Sequence, residues 1–483
     1  MTKDDLGKLF LLTFPGVIKQ KHIELIRKIK PAGVLLRPDN MSTMSQLQIN
    51  MERLYEIIDE GIKLLITSDH EGGQLETFPG ILPCPGNKAI GVTNNVNYAS
   101  IYGNALGHDL KNIGFNMLFA PVLDIYKENS SPVTGLRAYS DDHKKVSDFG
   151  VSFMKALQNE GILSTVKHFP GHGRASQDSH YEIPVVNNLD ETDLLPFKES
   201  FNNGARTVMT AHVLYPELDS NVIATLSEKI LKDLLREKMG FEGIVISDAV
   251  EMKALWDNYT PDEIVKHFYS ATGDVLLIGD TDKYFPPLYE SLLKAYDNNS
   301  IDKNLLSNSV KRVREIQDDF VSSDYKRRFL SDISKEAISI DIKEKITAKN
   351  VTFVIPDGKP LTPADTSNND FMEYENIIKS LFDDPKIVHY DVPTGRIEFP
   401  LDNQDFIISF VVDSFSFDNQ LKMHKKLSEI SNYIAYVILR DARDVKKYKK
   451  ENYVVTNSTK ALSVYHALNA VKENVCLSSE TYE

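Results

Sequence analysis

Short apolar runs recur along the first part of the chain, separated by longer segments of mixed polarity. They read KLFLLTF, GVLLR, KLLITSD, NMLFAPVLD, LSTVKHF, TVMTAHV, GIVISDA and DVLLIGD. A strand buried on both faces has no polar side to alternate with, so it shows as a continuous apolar run. Runs of this kind alternating with helical segments predict βα units. All of them fall before about residue 280, and a (β/α)8 barrel typically takes about 250 residues. The expectation is an α/β fold that begins with a TIM-type barrel. Leu305, Leu306, Val310, Val313 and Ile316 in NLLSNSVKRVREIQ keep helical spacing and predict a helix that closes it.

The stretch from Tyr325 to Lys349 is charged and helix-prone, with few strand signals, and reads as a helical linker. Apolar runs then resume with VTFVI, KIVHY, DFIISFVV, YIAYVIL and NYVVT, the last followed by the amphipathic KALSVYHALNAVKE. The predicted organisation is a barrel domain over 1–324, a linker over 325–349 and a smaller αβα sandwich over 350–483. No glycine-rich phosphate loop appears in the second domain, so a nucleotide site there has no support.

Composition narrows the partners. A chain of 483 residues, 42% apolar and 26% charged, is long enough for a large core and more than one domain. Its formal charge of −14 opposes binding to a phosphate backbone, and the one basic run, Lys446 to Lys450, reads as a solvated face. Cys84 and Cys476 lie far apart and in no ligand spacing, which indicates neither a disulfide framework nor a cysteine zinc site. The N-terminal MTKDDLGKLFLLTFPG carries acids where a signal peptide has bases. No apolar run reaches the roughly 20 residues needed to span a bilayer. The expectation is a cytoplasmic protein with neither nucleic-acid nor membrane partners.

In a barrel of this type the chemistry sits at the C-terminal ends of the strands. Asp69, Glu71, Asp124, Lys167, His168, His212 and Asp248 fall at such ends. Each alone has a plain alternative, since a strand-end Asp can cap the next helix and a lone His can be a satisfied core residue. Asp248 directly follows a strongly apolar run, and a carboxylate there could attack an anomeric carbon to form a covalent intermediate. The proton donor such chemistry needs could come from KHFPGHGRASQDSH, Lys167 to His180. Asp178 and His180 are spaced so that the carboxylate can orient the imidazole, and Gly171 and Gly173 suggest a mobile loop that closes over the substrate. The alternative is a loop with local hydrogen bonds only. A metal-dependent hydrolase using His168, His172, His180 and His212 with Asp248 also fits the residue types, although no His-x-His pair or His-Glu-x-x-His helix is present.

KHFPGHG followed by DSH resembles the signature of glycoside hydrolase family 3, in its β-N-acetylglucosaminidase (NagZ-like) branch. DHEGGQL, GFNMLFAPVLDI, SPVTGLRAYSDD, VMTAHVLYPELD and GFEGIVISDAVEM support it in family order. The resemblance implies Asp248 as nucleophile and Asp178 with His180 as acid/base dyad. It also implies that Asp69, Arg137, Lys167 and His168 hold the terminal sugar, with His212 counted in the same subsite. No metal or other cofactor is implied. The implied reaction is retaining, exo-acting hydrolysis of terminal β-linked GlcNAc from cell-wall muropeptides or related glycosides. Gln74 stands where relatives commonly have Arg, and SPVTG where NPVIG is usual, so the fine sugar preference is open. Phosphorolysis by the same intermediate, a β-glucosidase of the same family and a non-catalytic glycan-binding relative are the alternatives.

Overall fold

The computed structural model describes residues 1–78, 81, 83–127, 134–175, 183–322, 328–343, 345–358, 369–398, 401–412, 414, 417–439 and 444–477. The chain divides into two compact units. The first comprises Met1–Gly16, His22–Ser42 and Arg53–Lys326, and the second Val17–Lys21, Thr43–Glu52 and Arg327–Glu483.

Each of the eight apolar runs forms a strand in the first unit: β1 (Phe10–Leu12), β2 (Gly33–Leu35), β3 (Leu65–Thr67), β4 (Met117–Leu118), β5 (Leu163–Phe169), β6 (Thr207–Thr210), β7 (Ile244–Ala249) and β8 (Val275–Ile278). They pair in the order β3-β2-β1-β8-β7-β6-β5-β4, all parallel. Backbone bonds from Asn116 N to Ile66 O (3.2 Å) and from Phe119 N to Ser68 O (3.1 Å) join β4 to β3 and bring the sheet round into a barrel. Leu11, Leu65, Met117, Leu163, Met209, Ile246 and Leu277 from its strands share one buried cluster with Val313 and Ile316. The last two come from the helix Lys303–Phe320, which buries the apolar face foreseen from its spacing, with Leu305 at the edge of that face. Its Gln317 amide donates to the Ala32 and Lys63 carbonyls at 2.8 and 2.6 Å, tying the helix to the starts of β2 and β3.

Asp274 is fully buried just before β8. It accepts from Arg236 Nη2, Arg312 Nη2 and the Val245 amide, each at 2.7 Å. Burial alone would raise its carboxyl, but the two guanidinium groups outweigh that and hold it below the ordinary carboxylate range.

The second unit holds a seven-stranded mixed sheet built from β9 (Ser339–Asp341), β11 (Val351–Pro356), β12 (Lys386–Asp391), β13 (Arg396–Ile397), β14 (Gln404–Val411), β15 (Ser431–Ile438) and β16 (Asn452–Val455). Their order is β13-β12-β11-β14-β15-β16-β9, parallel except for the two edge strands. A separate parallel pair joins β10 (Ile346–Ala348) to β17 (Val475–Leu477). Every residue of β11 and six consecutive residues of β14 are buried. Successive strand residues point to opposite faces, so both faces of this sheet are covered, as in an αβα sandwich. The stretch 325–349, expected as a helical linker, instead supplies the helix Arg328–Glu336, edge strand β9 and strand β10 to this unit. Its charge reflects position: the three residues of β9 are exposed or half-buried at a sheet edge, where charges oppose further pairing.

Candidate active site

A cavity of about 500 Å³ opens where the barrel strands end, lined by Ser68 and Asp69 after β3, Asp124 after β4, Lys167 and His168 on β5, Met209 on β6 and Asp248 on β7. Parallel strands all deliver their C-terminal ends to the same rim, so residues nearly two hundred positions apart become neighbours.

Lys167 is 1% exposed and cannot shed its charge into water. Its ammonium lies 2.8 Å from Asp69 Oδ1 and 2.6 Å from Glu71 Oε1. Burial opposes the charge, but these carboxylates outweigh it and push the Lys167 pKa above its ordinary value. Glu71 is equally buried and also takes Arg137 in a bidentate pair, Nε to Oε2 at 2.8 Å and Nη2 to Oε1 at 2.8 Å. The two cations overcome its burial and hold the Glu71 carboxyl far below the usual range. Asp69, by contrast, is 37% exposed at its side chain and has one oxygen on Lys167 and the rim of the cavity before it. The result is a fixed ladder, Asp69–Lys167–Glu71–Arg137, with alternating charge and donors already aimed.

His168 continues this array. Its Nδ1 lies 2.7 Å from Asp124 Oδ2, and its Nε2 lies 3.4 Å from the Arg137 guanidinium. A carboxylate accepts and a guanidinium donates, so the ring is assigned as the neutral Nδ1–H tautomer, with its Nε2 lone pair toward Arg137. Asp124 Oδ1 accepts the His172 amide at 2.7 Å, which ties the turn after β5 to the end of β4. Burial raises and the His168 contact lowers the Asp124 carboxyl, with the net effect below its ordinary value.

Asp248 stands at the end of β7 and receives the Ala249 amide on Oδ1 at 2.8 Å. Burial would raise its carboxyl; the His168 and His212 rings lower it when protonated, the Ala249 amide and the Lys167 ammonium lower it in either state, and the net effect is below the ordinary range. It is therefore ionised at neutral pH, the state a carboxylate nucleophile requires.

Asp69, Arg137, Lys167, His168 and Asp248 thus line one cavity. His212, expected in the sugar subsite, is 1% exposed and has both ring nitrogens on protein: Nδ1 at 2.8 Å from Thr225 Oγ1 and Nε2 at 3.1 Å from the Ala249 carbonyl. The carbonyl can only accept, so Nε2 carries the proton. Burial lowers the His212 pKa and keeps the ring neutral, bracing the end of β7 behind Asp248. Asp178 and His180 lie outside the described residues.

The glycines before them are packed rather than free. A β-carbon at Gly173 would stand 1.9 Å from the Ile125 carbonyl oxygen, and Gly171 holds φ +131°. Arg174 then ties the turn His172–Arg174 to Asp193 through Nε at 2.6 Å. The supporting parts played by Glu71 and Asp124 were not legible in the sequence beyond their strand-end positions, because bracing depends on which loops meet. Among the described residues no group of three or more His, Cys, Asp or Glu side chains is placed to hold a metal ion.

Comparison with known proteins follows the same division. Residues 1–316 match the glycosyl hydrolase family 3 N terminal domain, and residues 349–471 match the β-N-acetylglucosaminidase C-terminal domain. The chain is similar to the β-N-acetylglucosaminidase from Thermotoga maritima, with 35% identity, a TM-score of 0.82 and coverage of 96% of this chain and 99% of that one. It is also similar to zinc-bound CbsA from Thermotoga neapolitana, with 32% identity, a TM-score of 0.83 and coverage of 97% and 99%. β-Hexosaminidase A of Pseudoalteromonas piscicida is 29% identical over 325 residues, which cover 61% of this chain and 54% of that enzyme. The match thus spans about half the length of that relative. With both domain matches in order and an ionised strand-end carboxylate beside a charged sugar-sized cavity, the chain belongs to glycoside hydrolase family 3, in its β-N-acetylglucosaminidase branch.

Proposed function

We propose that the protein is a retaining, exo-acting β-N-acetylglucosaminidase that removes terminal β-linked GlcNAc from muropeptides or related glycosides. The observation that carries this reading is the ionised Asp248 sharing one cavity with the ladder Asp69–Lys167–Glu71–Arg137 and with His168. A sugar presents hydroxyls that both donate and accept. Asp69 accepts, Arg137 and Lys167 donate, and the His168 ring, its Nδ1 held by Asp124, offers the Nε2 lone pair. Fixed donors and acceptors of this kind need no rearrangement when the substrate enters.

In the reaction an Asp248 oxygen bonds to the anomeric carbon while the bond from that carbon to the aglycone oxygen breaks. The leaving oxygen takes a proton from His180, which Asp178 orients. Water then gives a proton back to His180 and attacks the same carbon, releasing Asp248 and the sugar with its β configuration retained. The acid/base assignment comes from the family resemblance of the DSH motif.

The test is release of chromophore from an aryl N-acetyl-β-glucosaminide, with the matching β-glucoside alongside. Selective turnover of the acetamido sugar is expected, whereas preferential turnover of the glucoside would replace this reading with β-glucosidase. Sugar 1-phosphate formed only when inorganic phosphate is added would replace hydrolysis with phosphorolysis. His180→Ala should slow poor leaving groups more than good ones, since good ones need little protonation; uniform slowing would remove His180 from the acid role.

A further inference from the structure

The two faces of the seven-stranded sheet in the second unit are covered by different helices. The helix Asn369–Leu381 leads from β11 to β12, whereas the helix Asp418–Glu429 leads from β14 to β15 and the short helix Val445–Tyr448 from β15 to β16, the opposite direction along the sheet. Right-handed crossovers that step in opposite directions put their helices on opposite faces. The helices Arg328–Glu336 and Asn369–Leu381 each pack against Ala461–Glu473 on one face, and Asp418–Glu429 with Val445–Tyr448 cover the other.

On this second face Gln420, Met423, His424 and Leu427 form the buried side of the helix Asp418–Glu429, at helical spacing. The same spacing turns Lys422, Lys425 and Lys426 outward, and all three are exposed. His424 Nδ1 lies 2.6 Å from the Tyr448 hydroxyl, which sets the two helices side by side. Lys446, Lys449 and Lys450 lie around Tyr448 and are exposed as well. Lys343, just after β9, donates its ammonium to the Lys449 carbonyl and adds its charge to the same place. Asp418 faces Lys447, at 3.8 Å. Among the described residues no ion pair joins an acid to the other lysines of this face. In a chain of net charge −14, residues 418–450 carry nine basic side chains against four acidic ones. The run Lys446–Lys450 alone reads as a solvated face, but the fold lays a second group of lysines beside it.

We propose that this face is a docking surface for a membrane of anionic lipids. The proposal does not depend on the glycosidase reading. Nucleic-acid sites add arginine forks, stacking aromatics or a groove to their charge, and a stable protein interface needs an apolar centre. Among the described residues the exposed cations here are all lysines on the outer side of two helices, with no exposed large apolar side chain among them. A lysine ammonium is a hydrated point charge on a flexible stem, and fluid headgroups gather round such charges without a matching shape. A cluster of about four to eight basic residues on an amphipathic helix is the usual mark of attraction to an anionic leaflet.

The test is sedimentation of the full chain with phosphatidylglycerol vesicles and, separately, with phosphatidylcholine vesicles. Binding to the first and not to the second is expected. It should weaken by about 10-fold or more from low to physiological ionic strength, as the Debye length falls from ~30 to ~8 Å. The triple variant Lys425→Gln/Lys426→Gln/Lys449→Gln should bind roughly 100-fold more weakly, with unfolding midpoint and aryl glycoside turnover unchanged. Lys426→Gln alone should lose about 5-fold, which keeps the test open if the triple variant does not fold. The matched variant Lys155→Gln/Lys198→Gln/Lys232→Gln removes three exposed charges from the first unit and should bind as the parent does. No binding to phosphatidylglycerol by the folded wild type, equal binding to both lipids, or an equal loss in the two triple variants overturns the assignment. A single-stranded RNA that binds more tightly than the anionic vesicles, and is lost in the first variant, would make the partner a nucleic acid and overturn it too.

Discussion

Glu71 serves two cations at once, and its neighbours respond differently from Asp248 to substitution. Glu71→Gln leaves Lys167 and Arg137 buried beside a neutral group, and breaking a buried pair by removing one partner typically costs about 3–5 kcal/mol. Urea unfolding should register a loss of that order, with KM for an aryl N-acetylglucosaminide raised because the sugar-holding side chains lose their common anchor. An unchanged midpoint would show that solvent supports the two cations instead. The Asp248 side chain accepts one backbone hydrogen bond, from the Ala249 amide, and carries its weight in chemistry. Asp248→Ala should retain the circular dichroism and unfolding midpoint of the parent while losing at least about a thousandfold in kcat. Substantial residual turnover would move the nucleophile elsewhere. The tautomers of His168 and His212 follow from their partners and not from their positions, which is why one reaches the cavity and the other braces a strand.

At the scale of elements, the barrel separates holding from reacting along the strand direction. Asp274 precedes β8 and binds Arg236, Arg312 and the Val245 amide, whereas Asp248 ends the neighbouring β7. Asp274→Ala should therefore lower stability by about 3–5 kcal/mol yet leave kcat/KM per folded molecule near that of the parent, as active-site titration would reveal. A matching loss of kcat/KM would mean that the pairing of β7 with β8 sets the position of Asp248. The eight strands and the helix Lys303–Phe320 were legible because burial on both faces, or on one helical face, leaves a local periodic trace. The stretch 325–349 was misread for a related reason. An edge strand such as β9 has half its hydrogen bonds and little apolar surface to display, and only pairing with β16 identifies it. The glycines of KHFPGHG carry no mark that distinguishes freedom from close approach; the Ile125 carbonyl beside Gly173 decides for the latter.

Across the whole molecule, acid acts on both units in the same direction. Burial lowers the pKa of His70 to about 4, and of His424 and His466 to about 3, from an ordinary 6.5. The unfolded chain then takes up protons first, so this contribution is complete above pH 6.5 and is lost as pH falls toward the folded values. Glu71, Asp124 and Asp274 are depressed carboxylates, whose contribution is complete above about pH 4 and is lost below it. Unfolding free energy should therefore drop by at least about 2 kcal/mol between pH 6.5 and 5 and fall further below pH 4. Urea titrations across that range would detect it, and a flat profile would show that the buried histidines are solvated through local opening. Periodicity and short motifs are local properties of a chain, and they were enough for the strand count, the second sheet, the family and the candidacy of Asp248. Charge state, tautomer and the choice between gripping and bracing are set by atoms from other strands at distances near 3 Å. That is how Glu71 and Asp124 became supports and how His212 turned away from the cavity.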